Sequence, residues 1–258
     1  LYPTIGNDEP LIRSYLHHFF VEDQDYKQYE KYIRDSYLKR NFAETKIVNG
    51  LGDPEKWASY ISAVDYKNLR DRVDLDFSYT SRERYDADDA VSIEVNVKNV
   101  QKLIVKIFEI NTSNFYRDQR REIDTNIELD GLLPNKEYTF QYDDSPFRRI
   151  KRKIDLKELD KRGVYIVDFI GNRKSSRALI RKGRLRYIEE VTPAGHHLTI
   201  VNEKNDVEKN ASVWMIGSQY QANENGNINI PFSTRPGRVP LVISKGEFSS
   251  FDNFTHQA

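Results

Sequence analysis

The sequence has 258 residues, with 40 Lys and Arg against 40 Asp and Glu, and it contains no cysteine. The length suits one large domain or two to three small ones, and a hydrophobic content of 38% excludes a disordered chain. The missing cysteine excludes disulfides, zinc–thiolate sites, iron–sulfur clusters and cysteine nucleophiles, and zero net charge gives no global field toward nucleic acid or anionic membranes.

Apolar residues at spacings of three and four predict helices over most of the first 72 residues. The periodic positions are Leu11, Ile12, Tyr15, Leu16, Phe19 and Phe20, then Tyr26, Tyr29, Ile33, Tyr37 and Leu38, then Trp57, Tyr60, Ile61, Val64 and Leu69. The aromatic residues among them could form a ligand-stacking surface, but their periodicity favours the inner faces of packed helices.

Glycine residues and an Asp-Pro pair mark the boundaries between these helices. Two glycines in residues 49–52 predict a break. Asp53-Pro54 then predicts a helix start, since Asp accepts hydrogen bonds from free backbone N–H groups and Pro suits a first helical turn.

From Val73 the pattern changes to the alternation typical of half-buried strands, with Leu75, Phe77 and Tyr79 facing one way. Further predicted strands are 90–97, 103–110, 137–142, 150–156, 164–170 and 177–180. No helical stretch alternates with them, so an antiparallel sandwich is favoured over a parallel α/β sheet.

A second block of strands begins near Gly183. It comprises residues 184–191, 198–202, 212–216, 228–232 and 239–244, and Asn225-Gly226 predicts a hairpin between 218–220 and 228–230. We therefore predict a mainly β chain: a helical segment at 1–72, a β-sandwich at 73–183 and a second, smaller β-sandwich at 184–258.

Several sequence segments resemble the macroglobulin-type β-sandwich repeats of alpha-2-macroglobulin-like proteins. In the second block, ASVWMIGSQY at 211–220 is followed by NENG at 223–226 and INIPFS at 228–233. In the first block, residues 97–108 and the GVYIVD stretch at 163–168 resemble strands of the same repeats. The resemblance covers about residues 73–251 and is carried by packing and turn residues.

This resemblance implies a scaffold within a much larger multidomain protein. The reactive thioester of that family needs a Cys-Gly-Glu-Gln motif, and this chain has no cysteine. The resemblance therefore implies a structural module that lacks the thioester.

The strongest charge feature is a basic cluster without an acidic residue among its members. It comprises Arg173, Lys174, Arg177, Arg181, Lys182, Arg184 and Arg186. Such a cluster can bind phosphates, glycosaminoglycan or nucleic acid. The alternative is a solvated strand face, which zero net charge favours. We do not expect nucleic acid to be a partner.

No catalytic motif is present. The sequence has no Gly-x-Ser-x-Gly elbow, His-Glu-x-x-His, P-loop or Gly-x-Gly-x-x-Gly. His17-His18 and His196-His197 are poor metal pairs, because adjacent residues diverge on a helix and on a strand. We predict no catalytic, metal or cofactor site in this chain, and a surface or edge role for the His196-His197 pair.

Neither a signal peptide nor a membrane span is predicted. No basic stretch precedes an apolar run, and apolar runs fall far short of the roughly 20 residues that span a bilayer. We expect a soluble chain, either excised from a longer polypeptide or a mature product, whose compartment the sequence leaves open.

Two function hypotheses follow. The first is a non-catalytic structural or interaction module of a larger protein, in contact with neighbouring domains of the same polypeptide or with a protein partner. The alternative is a carbohydrate- or polyanion-binding β module, with Tyr and Phe for stacking and residues 173–186 for charge.

Overall fold

The computed structural model describes residues 6–78 and 81–257. Its helices are α1 (Glu9–Phe20), α2 (Asp35–Asn49), α3 (Pro54–Ala58), α4 (Ala63–Asp71) and α5 (Thr112–Gln119). The break at 49–52 is confirmed, because α2 ends at Asn49 and Gly50 caps it with a φ of 63°, which suits glycine. The predicted start at Asp53 is also confirmed, since its side chain accepts a hydrogen bond from the Glu55 N–H.

The first four helices pack around an apolar cluster of their own. Phe20 of α1 and Phe42 of α2 form an edge-to-face pair with ring centroids 5.0 Å apart, and Trp57 of α3 packs on Phe42 at 5.6 Å. Leu38 of α2 and Leu69 of α4 complete the buried centre. Burial of Phe20 and Trp57 confirms the inner-face prediction for these two aromatic residues, whereas Phe42 was not among the predicted positions.

The first β-sandwich consists of two sheets around one core. Its strands are β1 (Asp74–Phe77), β2 (Arg84–Tyr85), β3 (Ser92–Lys98), β4 (Lys102–Ile110), β5 (Lys136–Gln141), β6 (Arg149–Asp155), β7 (Gly163–Gly171) and β8 (Lys174–Lys182). The sheet orders are β1-β3-β6 and β2-β8-β7-β4-β5. All pairs are antiparallel except β2 with β8, where the chain crosses from one sheet to the other. This confirms the predicted sandwich; Tyr79 lies outside the described residues.

The second sandwich follows the same plan at smaller size. Its strands are β9 (Arg186–Thr192), β10 (Gly195–Val201), β11 (Ser212–Met215), β12 (Ser218–Gln221), β13 (Asn227–Ile230), β14 (Gly237–Lys245) and β15 (Phe248–His256). The sheet orders are β13-β10-β9 and β12-β11-β14-β15. The inner faces share a core that includes Leu198, Val213, Leu241 and Phe254. The fold is thus mainly β, with a helical N-terminal segment and two consecutive antiparallel sandwiches.

Three local predictions are wrong. Asn225-Gly226 lies in a turn, but β12 and β13 belong to different sheets, so the turn carries the chain across the sandwich and closes no hairpin. Helix α5 lies inside the first strand block. Strand β15, nine residues long, was not predicted, because its FSSFDNFTH sequence alternates poorly.

Helix α5 joins the two sandwiches. Tyr116 of α5 is fully buried, and its ring centroid lies 5.5 Å from that of Phe251 on β15. Around this pair, one apolar cluster unites the outer faces of two sheets: Phe108, Val164, Ile166 and Leu179 from the first sandwich, Trp214 and Val242 from the second. The sandwiches therefore pack as one body, although the domain boundaries at 72/73 and 183/184 stay a prediction.

The end of α4 is fixed to the first sandwich by the β3–β4 turn. The Lys98 ammonium is almost fully buried and donates to the carbonyl oxygens of Leu69 and Arg72, the latter at 2.7 Å. The Asn99 side chain donates to the carbonyls of Arg70 and Asp71, both at 3.2 Å. The last carbonyls of a helix lack partners within it, so these donors complete α4.

No helix in the described ranges 6–78 and 81–257 has the length and apolar character needed to span a membrane.

Replacement of Lys98 tests this attachment. Lys98→Met leaves the two carbonyls without their donor, and we expect a loss of about 2 kcal/mol in the free energy of unfolding. Burial, with the charge of Arg72, lowers the pKa of Lys98 from 10.5 to about 8. Between these values the unfolded chain binds more protons, so the wild-type advantage should grow from pH 8 to 10.5.

Urea unfolding of both proteins across that range measures the difference. Lys151→Met, on an exposed lysine of β6, is the matched control, with an expected change within about 0.5 kcal/mol. A Lys98→Met protein as stable as the wild type would contradict the assigned role.

Candidate interaction surfaces

Helix α1 is apolar on two sides, and only one side is buried. Leu16 and Phe20 face the helical core, whereas Leu11 and Tyr15 are each 58% exposed and Phe19 is 47% exposed. These three lie at i, i+4 and i+8, so they form one stripe along the helix. Ile12 is also exposed. We call Leu11, Ile12, Tyr15 and Phe19 the α1 outer face. For its two aromatic members, Tyr15 and Phe19, the inner-face prediction is wrong.

An ion-pair network holds α1 in this orientation. Glu44 of α2 is buried, and its carboxylate accepts two hydrogen bonds from Arg13 of α1, at 2.9 and 2.7 Å. Arg72, just after α4, donates to the same carboxylate. Burial raises the pKa of Glu44, but the Arg72 hydrogen bond and the charges of Arg13 and Arg72 outweigh it and hold the pKa below its ordinary value of 4.5.

The network continues into the first sandwich. Arg72 also pairs with Asp74 of β1 at 3.0 Å. Arg149 of β6 reaches the same Asp74 at 3.6 Å and donates to Asp76 at 2.6 Å. Nearby, the Phe147 ring lies 4.7 Å from that of Tyr66 on α4. The α1 outer face is thus held in a fixed position relative to the β-sheets.

The predicted basic cluster is distributed along β8 and its two ends. Lys182 is 4% exposed, and its ammonium donates to the carbonyls of Asp89 and Leu159. Arg177 donates to two backbone carbonyls, at 125 and 127, and lies 3.8 Å from the Asp168 carboxylate. Arg181 donates to the Ile123 carbonyl and pairs with two glutamates, at positions 83 and 122.

The remaining members lie at the ends of the strand. Lys174 donates to the Val73 carbonyl at 3.2 Å, and Arg186 donates to Asn205 at 2.6 Å. The Arg173 and Arg184 side chains are exposed, in the turn before β8 and just after its end. The nine residues of β8 lie between them and separate them by about 30 Å. The structure therefore does not gather the seven side chains on one free face.

A buried histidine site was missed in the sequence. His196 is fully buried, and its Nδ1 lies 2.6 Å from a Glu189 oxygen while its Nε2 accepts the Gln257 N–H at 3.1 Å. The ring of buried His256 is 5.3 Å away. The surface role predicted for His196 is wrong, since β10 turns it toward the core, where Phe254 packs on it.

Within the ranges 6–78 and 81–257, no group of three or more His, Asp or Glu side chains is arranged to hold a metal ion.

Two family models match parts of the chain. Residues 1–73 match the family described as the actin-binding protein F N-terminal domain, and residues 103–183 match the AbpF first immunoglobulin-like domain. The chain is 38% identical over 260 residues to the curated protein Actin-binding protein F of Dictyostelium discoideum. The match covers 98% of this chain and spans 11% of that relative. The prediction of a non-enzymatic module agrees with these descriptions.

Solved structures with similar folds are more distant. A crystal structure of Escherichia coli alpha-2-macroglobulin spanning MG0-NIE-MG1 is 13% identical, with a TM-score of 0.47, and the match covers 71% of this chain and 64% of that one. A chimeric titin Z1Z2 tandem is 12% identical, with a TM-score of 0.33, over 69% and 96% of the two chains.

Polyanion binding by residues 173–186 stays a prediction, which heparin chromatography tests. With two free arginines so far apart, we expect elution below about 0.15 M ionic strength. Retention well above that ionic strength, lost in Arg173→Ala, would support the polyanion hypothesis.

Replacement of Glu44 tests whether the ion-pair network holds α1 in place. Glu44→Gln leaves two arginines without their shared carboxylate, and we expect a loss of about 2–4 kcal/mol in the free energy of unfolding. The wild-type advantage should be complete above pH 4.5 and decline as the pH falls through the lowered pKa. Amide hydrogen exchange should accelerate in α1 first.

Glu30→Gln, at an exposed glutamate of the same segment, is the matched control, and its change should stay within about 0.5 kcal/mol. Equal exchange rates in α1 of wild type and Glu44→Gln would exclude the proposed positioning role.

Proposed function

We propose that this chain is a non-catalytic interaction module of a larger multidomain protein, and that actin is its protein partner. The observation that carries the proposal is the 38% identity with Actin-binding protein F, which extends over 98% of the chain. The two family matches fall in the helical segment and in the first sandwich. Since the chain spans 11% of that relative, actin binding by this part is a hypothesis that needs its own test.

The α1 outer face is the surface that we assign to this contact. An apolar face of a helix is normally buried against another element, yet Leu11, Tyr15 and Phe19 of α1 remain largely exposed. Rigid aromatic and aliphatic side chains of this kind are frequent energetic centres of protein interfaces. The attachment through Glu44 and Lys98 supports the assignment, since a preordered surface loses less entropy on binding.

A three-part organisation supports a modular role. We propose domains at 1–72, 73–183 and 184–258, because an apolar cluster forms the centre of each part. We further propose that the full-length protein is alpha-2-macroglobulin-like and that this chain is a module of it that lacks the thioester. A Cys-Gly-Glu-Gln segment elsewhere in the full-length polypeptide would support this proposal.

Cosedimentation with filamentous actin tests the function. We expect the 258-residue chain to pellet with filaments in a saturable manner, and Tyr15→Asp to raise the Kd at least about fivefold, because it places a charge in the α1 outer face. Val64→Asp is the matched control, since Val64 is a 68% exposed apolar residue of α4, and its Kd should equal that of the wild type.

Two results separate the claims. A wild-type chain that stays in the supernatant at all filament concentrations would overturn actin binding by this module. Binding that Tyr15→Asp and Val64→Asp leave equally unchanged would keep the function but exclude the α1 outer face.

A further inference from the structure

The exposed edge of β9 differs from the other sheet edges of the described chain. Among the large hydrophobic side chains that are exposed in residues 6–78 and 81–257, only Ile188 and Val191 lie in a strand of the four sheets. Both belong to β9. They are 60% and 50% exposed. Strand β9 pairs over all seven residues with β10 and forms the edge of its sheet.

The other edges are protected in ways that β9 is not. Strands β1, β2, β12 and β13 are short, with four residues or fewer. Strand β5 carries an exposed Lys136, and β6 carries exposed lysines at 151 and 153. The exposed positions of β15 are polar, at 252, 253 and 255. Lysine and short length are two of the protections against strand pairing, and β9 has neither; its charged residues are Arg186, Glu189 and Glu190.

The charges of β9 are complementary to themselves. Arg186, Ile188 and Glu190 lie on the same face of the sheet, because alternate residues share a face. Glu190 is exposed and has no ion-pair partner within residues 6–78 and 81–257. Arg186 donates one hydrogen bond to Asn205, which leaves guanidinium donors available.

We propose that β9 is a self-association site, at which two copies of this chain pair their β9 strands antiparallel about a two-fold axis at Ile188. In such a pairing the two-fold axis is perpendicular to the sheet, so two residues opposite each other lie on the same face. Because alternate residues share a face, the axis must pass through a residue position and not between two residues. Centring on Glu189 or Glu190 places like charges opposite each other. Centring on Tyr187 leaves Arg186 opposite Ile188.

The register centred on Ile188 satisfies both the charges and the apolar side chain. It places Arg186 opposite Glu190 twice, by symmetry, and joins the two exposed Ile188 side chains. Opposite charges across strands stabilise a pair and like charges destabilise it. One strand pair buries little area, so the dimer should be weak and should form reversibly.

Sedimentation velocity of the intact chain, from micromolar to millimolar concentration, tests the proposal. We expect a monomer–dimer equilibrium in the wild type. Arg186→Glu and Glu190→Arg should each raise the dimer dissociation constant about tenfold or more, because each converts two attractive pairs into two repulsive ones. The double variant restores both pairs and should return the constant to near the wild-type value.

Arg238→Glu, on an exposed arginine of β14, is the matched control and should leave dimerisation unchanged. Circular dichroism of each variant establishes that it is folded. A chain that stays monomeric at millimolar concentration overturns the proposal, even if β9 then binds an unlike extended segment. A dimer that is indifferent to the single reversals, or not restored by the double variant, also overturns it.

Discussion

The buried carboxylate of Glu44 is the interaction on which the arrangement of the N-terminal half depends. A carboxylate in this position is stable only when positive partners compensate its lost hydration, and Arg13 and Arg72 both supply that charge. Since these arginines belong to α1 and to the link between α4 and β1, one charged group fixes three parts of the chain. The Arg72–Asp74 pair and the Lys98 bonds to the end of α4 then extend this order into the first sandwich.

The connection between the two sandwiches has a different physical basis. It is an apolar core around Tyr116, supplemented by the Arg162–Glu203 pair at 2.9 Å and by the hydrogen bond from the Ser249 N–H to Thr112. Apolar burial involves no titrating group, whereas the junction around Glu44 depends on charge and pH. We therefore expect acid to loosen the helical segment before it separates the sandwiches.

Periodicity and turn chemistry predicted most of the elements, because the bounds of helices and strands depend largely on residues that are neighbours in sequence. Asp53 starts a helix by a local hydrogen bond, and Gly50 ends one through its positive φ, so both predictions are confirmed. The exposed Tyr15 and the buried Leu16 could not be distinguished, since periodicity places both on one broad face and only the position of α2 separates them. Asn225-Gly226 formed its turn, but the partner strands were decided by the sandwich topology.

The candidate sites were less predictable, because charge in sequence does not reveal where each charge is used. Lys182 and Arg181 looked like ligands of a polyanion, and in the fold they hold backbone carbonyls of the first sandwich. No sequence pattern distinguishes Lys98, because a single lysine directly after the predicted strand 90–97 is typical of a strand end. Its role depends on the carbonyls of α4, which are 26 to 29 residues away in sequence.

The two proposed surfaces lie at opposite ends of the first sandwich. The helical segment packs at the β3–β4 turn, next to the start of β8, whereas the second sandwich begins directly after the end of β8. Antiparallel pairing through β9 would therefore keep two α1 outer faces apart, at the far ends of a dimer. A dimer of that form would present two partner-binding faces together, and bivalence raises apparent affinity without any new contact. With actin as the proposed partner, such a dimer would be able to link two filaments or to hold one filament at two points.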